Sequence, residues 1–205
     1  MYTLYFHPFS QHSRRVVSLL KAAGLPYKAI PVDLAAGEHR GPAYLEINPN
    51  HQVPTLVDGD VKLHESHAIL RYLCSRHGLT DWYPEDTVRR AMTEQWLDWN
   101  NCRLGRFTVD FVYNTAFAGD NADAAAIARG RAGLDEALPI LEAALGEAPY
   151  LTGDTPTIAD LSVASGIFHL GFADAMPTSP NISAWFGRMS ELKGFRESLP
   201  ERRAA

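Results

Sequence analysis

Apolar and polar positions change rhythm several times in the first eighty residues. Tyr2 to Phe6 is a short β-rich run that His7-Pro8 breaks, and it reads as a strand. From Ser10 the rhythm becomes helical: Ser13, Val17 and Leu20 fall at i, i+4 and i+7, with Val16 beside them. Gly24 ends this helix and Pro26 follows at the usual distance. Tyr27 to Val32 is a second strand. Pro31 has no N–H to give a ladder, so that strand should lie at an edge or be irregular. The short return predicts a parallel pair with a right-handed crossover. Residues 34–50 are loop-rich, with one short helix near Ala43–Ile47. Pro54–Val57 and Val61–Leu63 flank Asp58-Gly59-Asp60, a hairpin turn signal. Glu65 opens a further helix with Ala68, Ile69, Tyr72 and Leu73 on its apolar side. The order β-α-β-(α)-β-β-α makes a small mixed sheet of four strands flanked by helices.

Gly78 and Pro84 punctuate residues 78–85, and 79–85 reads as a linker. Beyond it the period is helical throughout. Met92, Trp96, Trp99 and Arg103 follow it, and so do Leu134, Leu138, Leu141 and Leu145. Pro139 falls inside the second stretch and should kink that helix or mark its true start, since an interior proline costs about 3 kcal/mol. Thr157-Ile158-Ala159-Asp160 has the form of a capping box with Asp as the fourth residue, and Ile158, Leu161 and Ile167 then run inward. The expected organisation is a mixed α/β domain over 1–78 and an all-helical domain over 86–205.

Charge supports that division. Residues 1–80 carry eight Lys and Arg against six Asp and Glu, and residues 81–205 carry eleven against eighteen. Seven of the eight histidines also lie in the first part. A net charge of −5 without a basic run argues against nucleic acid as a partner. The less negative first part can host a small anion. No apolar run approaches membrane-spanning length, and the start lacks a signal-peptide pattern. Cys74 and Cys102 have no metal-ligand spacing, so neither zinc nor a disulfide framework is expected. These features predict a protein of a reducing cytoplasm.

Four segments carry candidate chemistry: His7-Pro8-Phe9-Ser10-Gln11-His12-Ser13-Arg14, Gly37-Glu38-His39, Asn48-Pro49-Asn50-His51-Gln52-Val53-Pro54-Thr55-Leu56, and Leu63-His64-Glu65-Ser66-His67-Ala68-Ile69. Their order and spacing resemble the serine-type glutathione transferases, nearest the theta and delta groups. Gly153 to Asp160 extends the resemblance into the second part, which otherwise matches by its helix content. The resemblance implies a thioredoxin-like domain joined to an all-α domain, with glutathione as co-substrate and no metal. It also implies a homodimer, a hydrophobic electrophile as second substrate, and a role in detoxification.

Each residue has its own physical reading. Ser10 lies between a strand and a helix, where its hydroxyl can donate to an anion helped by the helix dipole. It can equally be an N-cap and nothing more. A free thiol titrates near pH 8.5, and lowering that by about two units requires roughly 2.7 kcal/mol. One hydrogen bond to a charged partner supplies roughly 1.5–3 kcal/mol, so a serine at a helix end is sufficient in magnitude. Ser13 is the rival hydroxyl, one turn into the helix. Val53-Pro54 is an ordinary trans pair by local reading. The resemblance implies a cis bond that turns the Val53 N–H and C=O outward to pair with an extended tripeptide. Glu65-Ser66 is either a capping pair or a site in which free N–H groups and the Ser66 hydroxyl hold a carboxylate while Glu65 holds the adjacent ammonium.

His39 and His51 match family histidines near the glycine end of glutathione, and Gln52 could add a contact. His64 and His67 lack a third ligand for a metal. His12 and Ser13 stand where the theta pattern usually has Pro and Cys; His12 could tune the sulfur or face solvent. For the second substrate, expected between the domains, Trp99, Arg103 and Phe107 share one helical spacing, with core packing as the alternative. Asn100 and Asp110 could line its rim, Phe111, Phe117 and Phe172 are further apolar candidates, and Glu94 stands where some relatives reach the partner subunit's ligand. The expected activity is attack of a glutathione thiolate on an electrophilic carbon. A glutathione-dependent peroxidase or disulfide reductase, or a catalytically silent glutathione-binding protein of the same fold, are the alternatives.

Overall fold

The computed structural model describes residues 1–200 and divides into two compact units. The first unit opens with β1 (Tyr2–Phe6), α1 (Gln11–Ala22) and β2 (Tyr27–Pro31). A 3-10 turn at Glu38–Arg40 and α2 (Pro42–Leu45) follow, then β3 (Thr55–Asp58), β4 (Val61–Leu63) and α3 (Ser66–His77). The sheet order is β2-β1-β3-β4, with β1 and β2 parallel and the other pairs antiparallel. β2 is an edge strand, as its proline requires.

The register of this sheet decides where loops emerge. Phe6 lies opposite Pro31, Tyr5 opposite Thr55, and Leu56 opposite Leu63. The ends of β1, β2 and β4 and the start of β3 therefore share one end of the sheet. Every loop carrying a candidate residue leaves from that end.

The core of this unit forms where α1 and α3 cover the sheet. Leu4 and Leu56 of the sheet, Val16, Leu19 and Leu20 of α1, and Ile69, Leu70 and Leu73 of α3 are wholly buried. On α3 the sequence pattern is corrected at one place: Ala68 is exposed, while Leu70 and Cys74 are buried. Burial pushes the Cys74 thiol up to about 12, so it is inert at neutral pH.

The second unit, from Thr80 to Ser190, is built of helices: α4 (Thr87–Trp99), α5 (Gly105–Val112), α6 (Ala124–Glu147), α7 (Ile158–Leu170) and α8 (Pro180–Glu191), whose last residue crosses the division. π turns at Asn100–Leu104 and Tyr113–Phe117 flank α5. α7 is almost wholly buried on all sides, so it is the central helix. Its start is the capping box the sequence predicts. Thr157 Oγ1 accepts from Ala159 N, and Asp160 takes the Thr157 N–H on Oδ2 at 2.8 Å. The same carboxylate accepts from Leu151 N and Trp185 Nε1. Its partners are all donors, which is how a wholly buried carboxylate is tolerated.

Two features bear on the expected helix and domain bounds. α6 runs through Pro139 without starting or ending there. Pro139 is on the exposed face, so the carbonyl its ring leaves unbonded can be solvated, and Leu134, Leu141 and Leu145 bury on the other face. The short helix α9 (Lys193–Glu197) belongs to the first unit and packs on α1, where Gly194 lies so close that a Cβ there would sit 2.5 Å from Ala22 Cβ and from the Ser18 carbonyl. Ser18 Oγ donates to Ser198 Oγ at 2.9 Å, tying the same two helices.

Candidate active site

Ser10 is both the cap and the presented hydroxyl. It has extended backbone, caps α1, and its Oγ accepts from Ser13 N at 3.2 Å. A hydroxyl that accepts one bond keeps its proton for another acceptor. Ser10 is half-buried, so that proton is accessible. Ser13 is not: it is buried, and its Oγ accepts from His7 N at 3.2 Å. The two serines, equivalent in type, are thus sorted by geometry. His12 is half-buried and its charge reaches His67, so it lies toward α3.

The Val53-Pro54 bond is cis, as the resemblance implies. Val53 precedes β3, so its N–H and C=O stand outside the sheet ladder. The segment before it is held from below. Tyr44 Oη donates to the Gln52 carbonyl at 2.6 Å, and Asn48 Nδ2 donates to the same oxygen at 3.0 Å. Both also meet Thr55 Oγ1 at 3.0 Å, and Asn48 is wholly buried. His51 takes a left-handed φ of 46°, with its N–H on the Asn48 carbonyl. A non-glycine residue in that region is strained, and such strain gathers at functional segments. Tyr44 and Asn48 position this segment from beneath, and the one sequence signal for them is that Asn48 opens the Asn48–Leu56 segment.

His39 and His51 come together, with ring centroids 6.5 Å apart. Burial, then the charges of Arg40 and His51, push the His39 pKa down, so it is neutral at pH 7 and donates through a single N–H. The Gln52 side chain is exposed.

At α3 the capping alternative fails for Glu65. Its side chain makes no cap hydrogen bond, and its φ is 65°. The first N–H groups of a helix have no carbonyl of their own to bond, so this end presents donors. Ser66 is buried there and its Oγ accepts from Arg15 Nη1 at 3.1 Å. The same nitrogen is 3.0 Å from His67 Nε2. Burial, then the charges of Arg15, Arg71 and His12, lower the His67 pKa to about 2. His67 is a neutral acceptor held by an arginine, whereas His64 is exposed. No cluster of three metal-ligating side chains occurs among the described residues.

These loops leave one end of a single sheet. The end therefore gathers a hydroxyl donor at one helix N-terminus, an unpaired strand edge, two imidazoles, and a second helix N-terminus. That set fits an extended anionic peptide bearing a thiol. Comparison with known proteins agrees. Residues 1–75 match the family model of the glutathione S-transferase N-terminal domain, and residues 124–188 match that of its C-terminal domain. The chain belongs to the glutathione S-transferase family.

Human glutathione S-transferase theta-2 is 34% identical over 199 residues, covering 93% of this chain and 81% of the relative. Glutathione S-transferase 2 of Anopheles gambiae is 36% identical over 165 residues, covering 80% and 77%. Among solved structures, human glutathione-S-transferase T1-1 superposes with a TM-score of 0.89 at 30% identity, covering 97% of this chain and 87% of that one. The theta-class enzyme of Xanthomonas axonopodis pv. citri, solved with glutathione bound, gives 0.87 at 28% identity, covering 99% and 98%. This protein is a theta/delta-like glutathione transferase with a thioredoxin-like sheet domain and a helical domain.

The candidates for the second substrate fare differently. Trp99 is half-buried, edge-on to Trp96 at 5.0 Å, and Arg103 is exposed. Phe107 is turned into packing: its ring lies over Gly133 of α6, where a Cβ would be 2.2 Å from Cγ. Spacing of i, i+4, i+8 assumes an unbroken α-helix. The π turn at Asn100–Leu104 interrupts that helix between Trp99 and Phe107. Asn100 is not at a rim; it is wholly buried and donates to Ser162 Oγ at 2.7 Å. Phe111 is buried beneath the Arg131 guanidinium, while Phe117 stacks on His169 with centroids 6.0 Å apart. Glu94 Oε1 accepts from Tyr83 Oη at 2.6 Å.

Proposed function

We propose that the sheet-end site of this glutathione transferase holds glutathione as an extended strand and that Ser10 donates its hydroxyl proton to the thiolate sulfur. The thiol proton passes to solvent. The sulfur then forms a bond to an electrophilic carbon, and the leaving group departs with the bonding electrons. The observation that carries the reading is the Ser10 hydroxyl, which accepts from Ser13 N and so keeps its own proton to give. The backbone of Val53 pairs with the tripeptide. Ser66 and the α3 N-terminus take the γ-glutamyl carboxylate, Glu65 the ammonium group, and His39 with His51 the glycyl carboxylate. Trp99 and Arg103 are offered for the electrophile. The protein serves in the cytoplasm in detoxification, and as a homodimer; the exposed Val88 and Met92, one turn apart on α4, support the pairing.

The test uses 1-chloro-2,4-dinitrobenzene, from which chloride leaves. Removing one donor to a developing or resting anion costs about 10²–10³ in rate, so Ser10→Ala should lose that much kcat/KM. It should still be retained on immobilised glutathione. The acid limb of its pH–rate curve should move up toward the free thiol near pH 8.5, since the thiolate has lost its donor. An unchanged curve refutes the assignment of Ser10.

A further inference from the structure

Arg15 is the least explained charge in the first unit. It stands on α1 with none of its surface exposed. Its charge is not met by a carboxylate: the groups it touches are the Ser66 hydroxyl and the His67 imidazole, both neutral, and both through Nη1. Nε and Nη2 are buried and make no hydrogen bond among the described residues. Glu65, beside Ser66, is near enough for its charge to favour the protonated guanidinium, but its side chain is exposed. Burial lowers the Arg15 pKa to about 9, which still leaves it charged at neutral pH. A cation out of water without an anion is costly, and an apolar side chain of similar size would often be more stable there.

The expense is explained by what lies above it. Ser66 opens α3, a helix of 12 residues whose N-terminus carries partial positive charge and lacks a side-chain cap from Glu65. Arg15 has no acceptor atoms, so the Ser66 Oγ must be the acceptor in their bond. The Ser66 proton is then left to point away from Arg15, toward any ligand at the helix end. His67 is fixed by the same contact: Nε2 accepts, so the ring proton is on Nδ1. The buried cation and the helix end also act with the same sign on whatever binds there.

We propose that Arg15 is a positioning residue for the γ-glutamyl carboxylate of glutathione, orienting the Ser66 hydroxyl as a donor and supplying the positive charge that the carboxylate completes. This rests on the assignment of Ser66 to that carboxylate. Arg15 itself does not touch the ligand. Its removal should therefore weaken binding of the carboxylate and leave thiol activation by Ser10 in place.

The experiment pairs a protein change with a ligand change. Glutathione is compared with 4-aminobutanoyl-cysteinyl-glycine, the same tripeptide without the γ-glutamyl carboxylate, on wild type, Arg15→Met and Arg15→Lys. Dissociation constants come from calorimetry, and kinetics from the aryl chloride reaction. Arg15→Met should raise KM for glutathione at least tenfold with kcat within about twofold, the pattern of lost uniform binding. Wild type should prefer glutathione over the analogue, and Arg15→Met should lose at least tenfold of that preference. Arg15→Lys keeps the charge and should retain most of it while losing at least threefold. If both ligands weaken equally in Arg15→Met, the residue only packs and the proposal is overturned. Should Arg15→Met not fold, Arg15→Lys decides alone: an undiminished preference overturns the proposal. If wild type itself binds the two ligands equally, the Ser66 assignment fails first, which is a different result.

Discussion

At the scale of single residues, burial and hydrogen bonds separate groups that look alike in the sequence. Ser10 and Ser13 are three positions apart and each accepts from a backbone N–H, yet Ser10 is half-buried with its hydroxyl accessible while Ser13 is buried. Ser66 and His67 are neighbours fastened by one arginine from another helix. His67 has a consequence for stability. Its pKa is lowered on folding to about 2, first by burial and then by the cations around it. Above the ordinary histidine value of about 6.5 both states are neutral there and nothing changes with pH. Below it the unfolded chain takes up a proton that the folded chain refuses, so stability falls by about 1.4 kcal/mol per pH unit. His67→Asn keeps an acceptor for Arg15 and has no such titration. Between pH 7 and pH 5 wild type should lose roughly 2 kcal/mol more than this variant in urea unfolding. Parallel losses would mean that His67 is protonated in the fold.

At the scale of elements, close approach governs the second unit. α5 and α6 touch across two glycines of α6. A Cβ at Gly133 would meet the Phe107 ring at 2.2 Å, whereas one at Gly130 would meet the Phe111 backbone nitrogen at 2.6 Å. Gly133→Ala should cost about 1–3 kcal/mol by overpacking. Phe107→Leu should recover part of that in a double-mutant cycle, because the obstacle is a side chain. The same Phe107→Leu should not rescue Gly130→Ala, where the backbone is the obstacle. Equal rescue at both positions, read by thermal unfolding, would contradict this packing. Helical period identified these elements well, since a 3.6-residue rhythm needs no knowledge of neighbours. It could not see the π turns, which come from hydrogen bonds that skip one residue further and leave no composition signal. Nor does it report that Phe107 packs on Gly133 or that Asn100 is buried against Ser162, because those contacts come from neighbouring helices.

At the scale of the whole molecule, the proposed homodimer predicts that light scattering returns twice the chain's 22.7 kDa at micromolar concentration. Val88→Glu together with Met92→Glu should shift it toward one chain if those exposed apolar residues are covered by a second copy. A mass of one chain in wild type would exclude the dimer. The local chemistry of the sequence determined a great deal: the strand and helix order, the edge position of β2, the capping box at Thr157, and the loops that carry Ser10, His39, His51, Val53, Pro54, Glu65 and Ser66. Those follow from period, from proline's missing donor and from turn residues, all short-range properties of the chain. Tertiary structure alone decided that the loops leave one end of one sheet, that α9 returns to α1, and that a buried Arg15 lies beneath Ser66. These depend on strand register and on contacts between residues far apart in the chain, 51 positions for Arg15 and Ser66, and no local pattern encodes such a pairing.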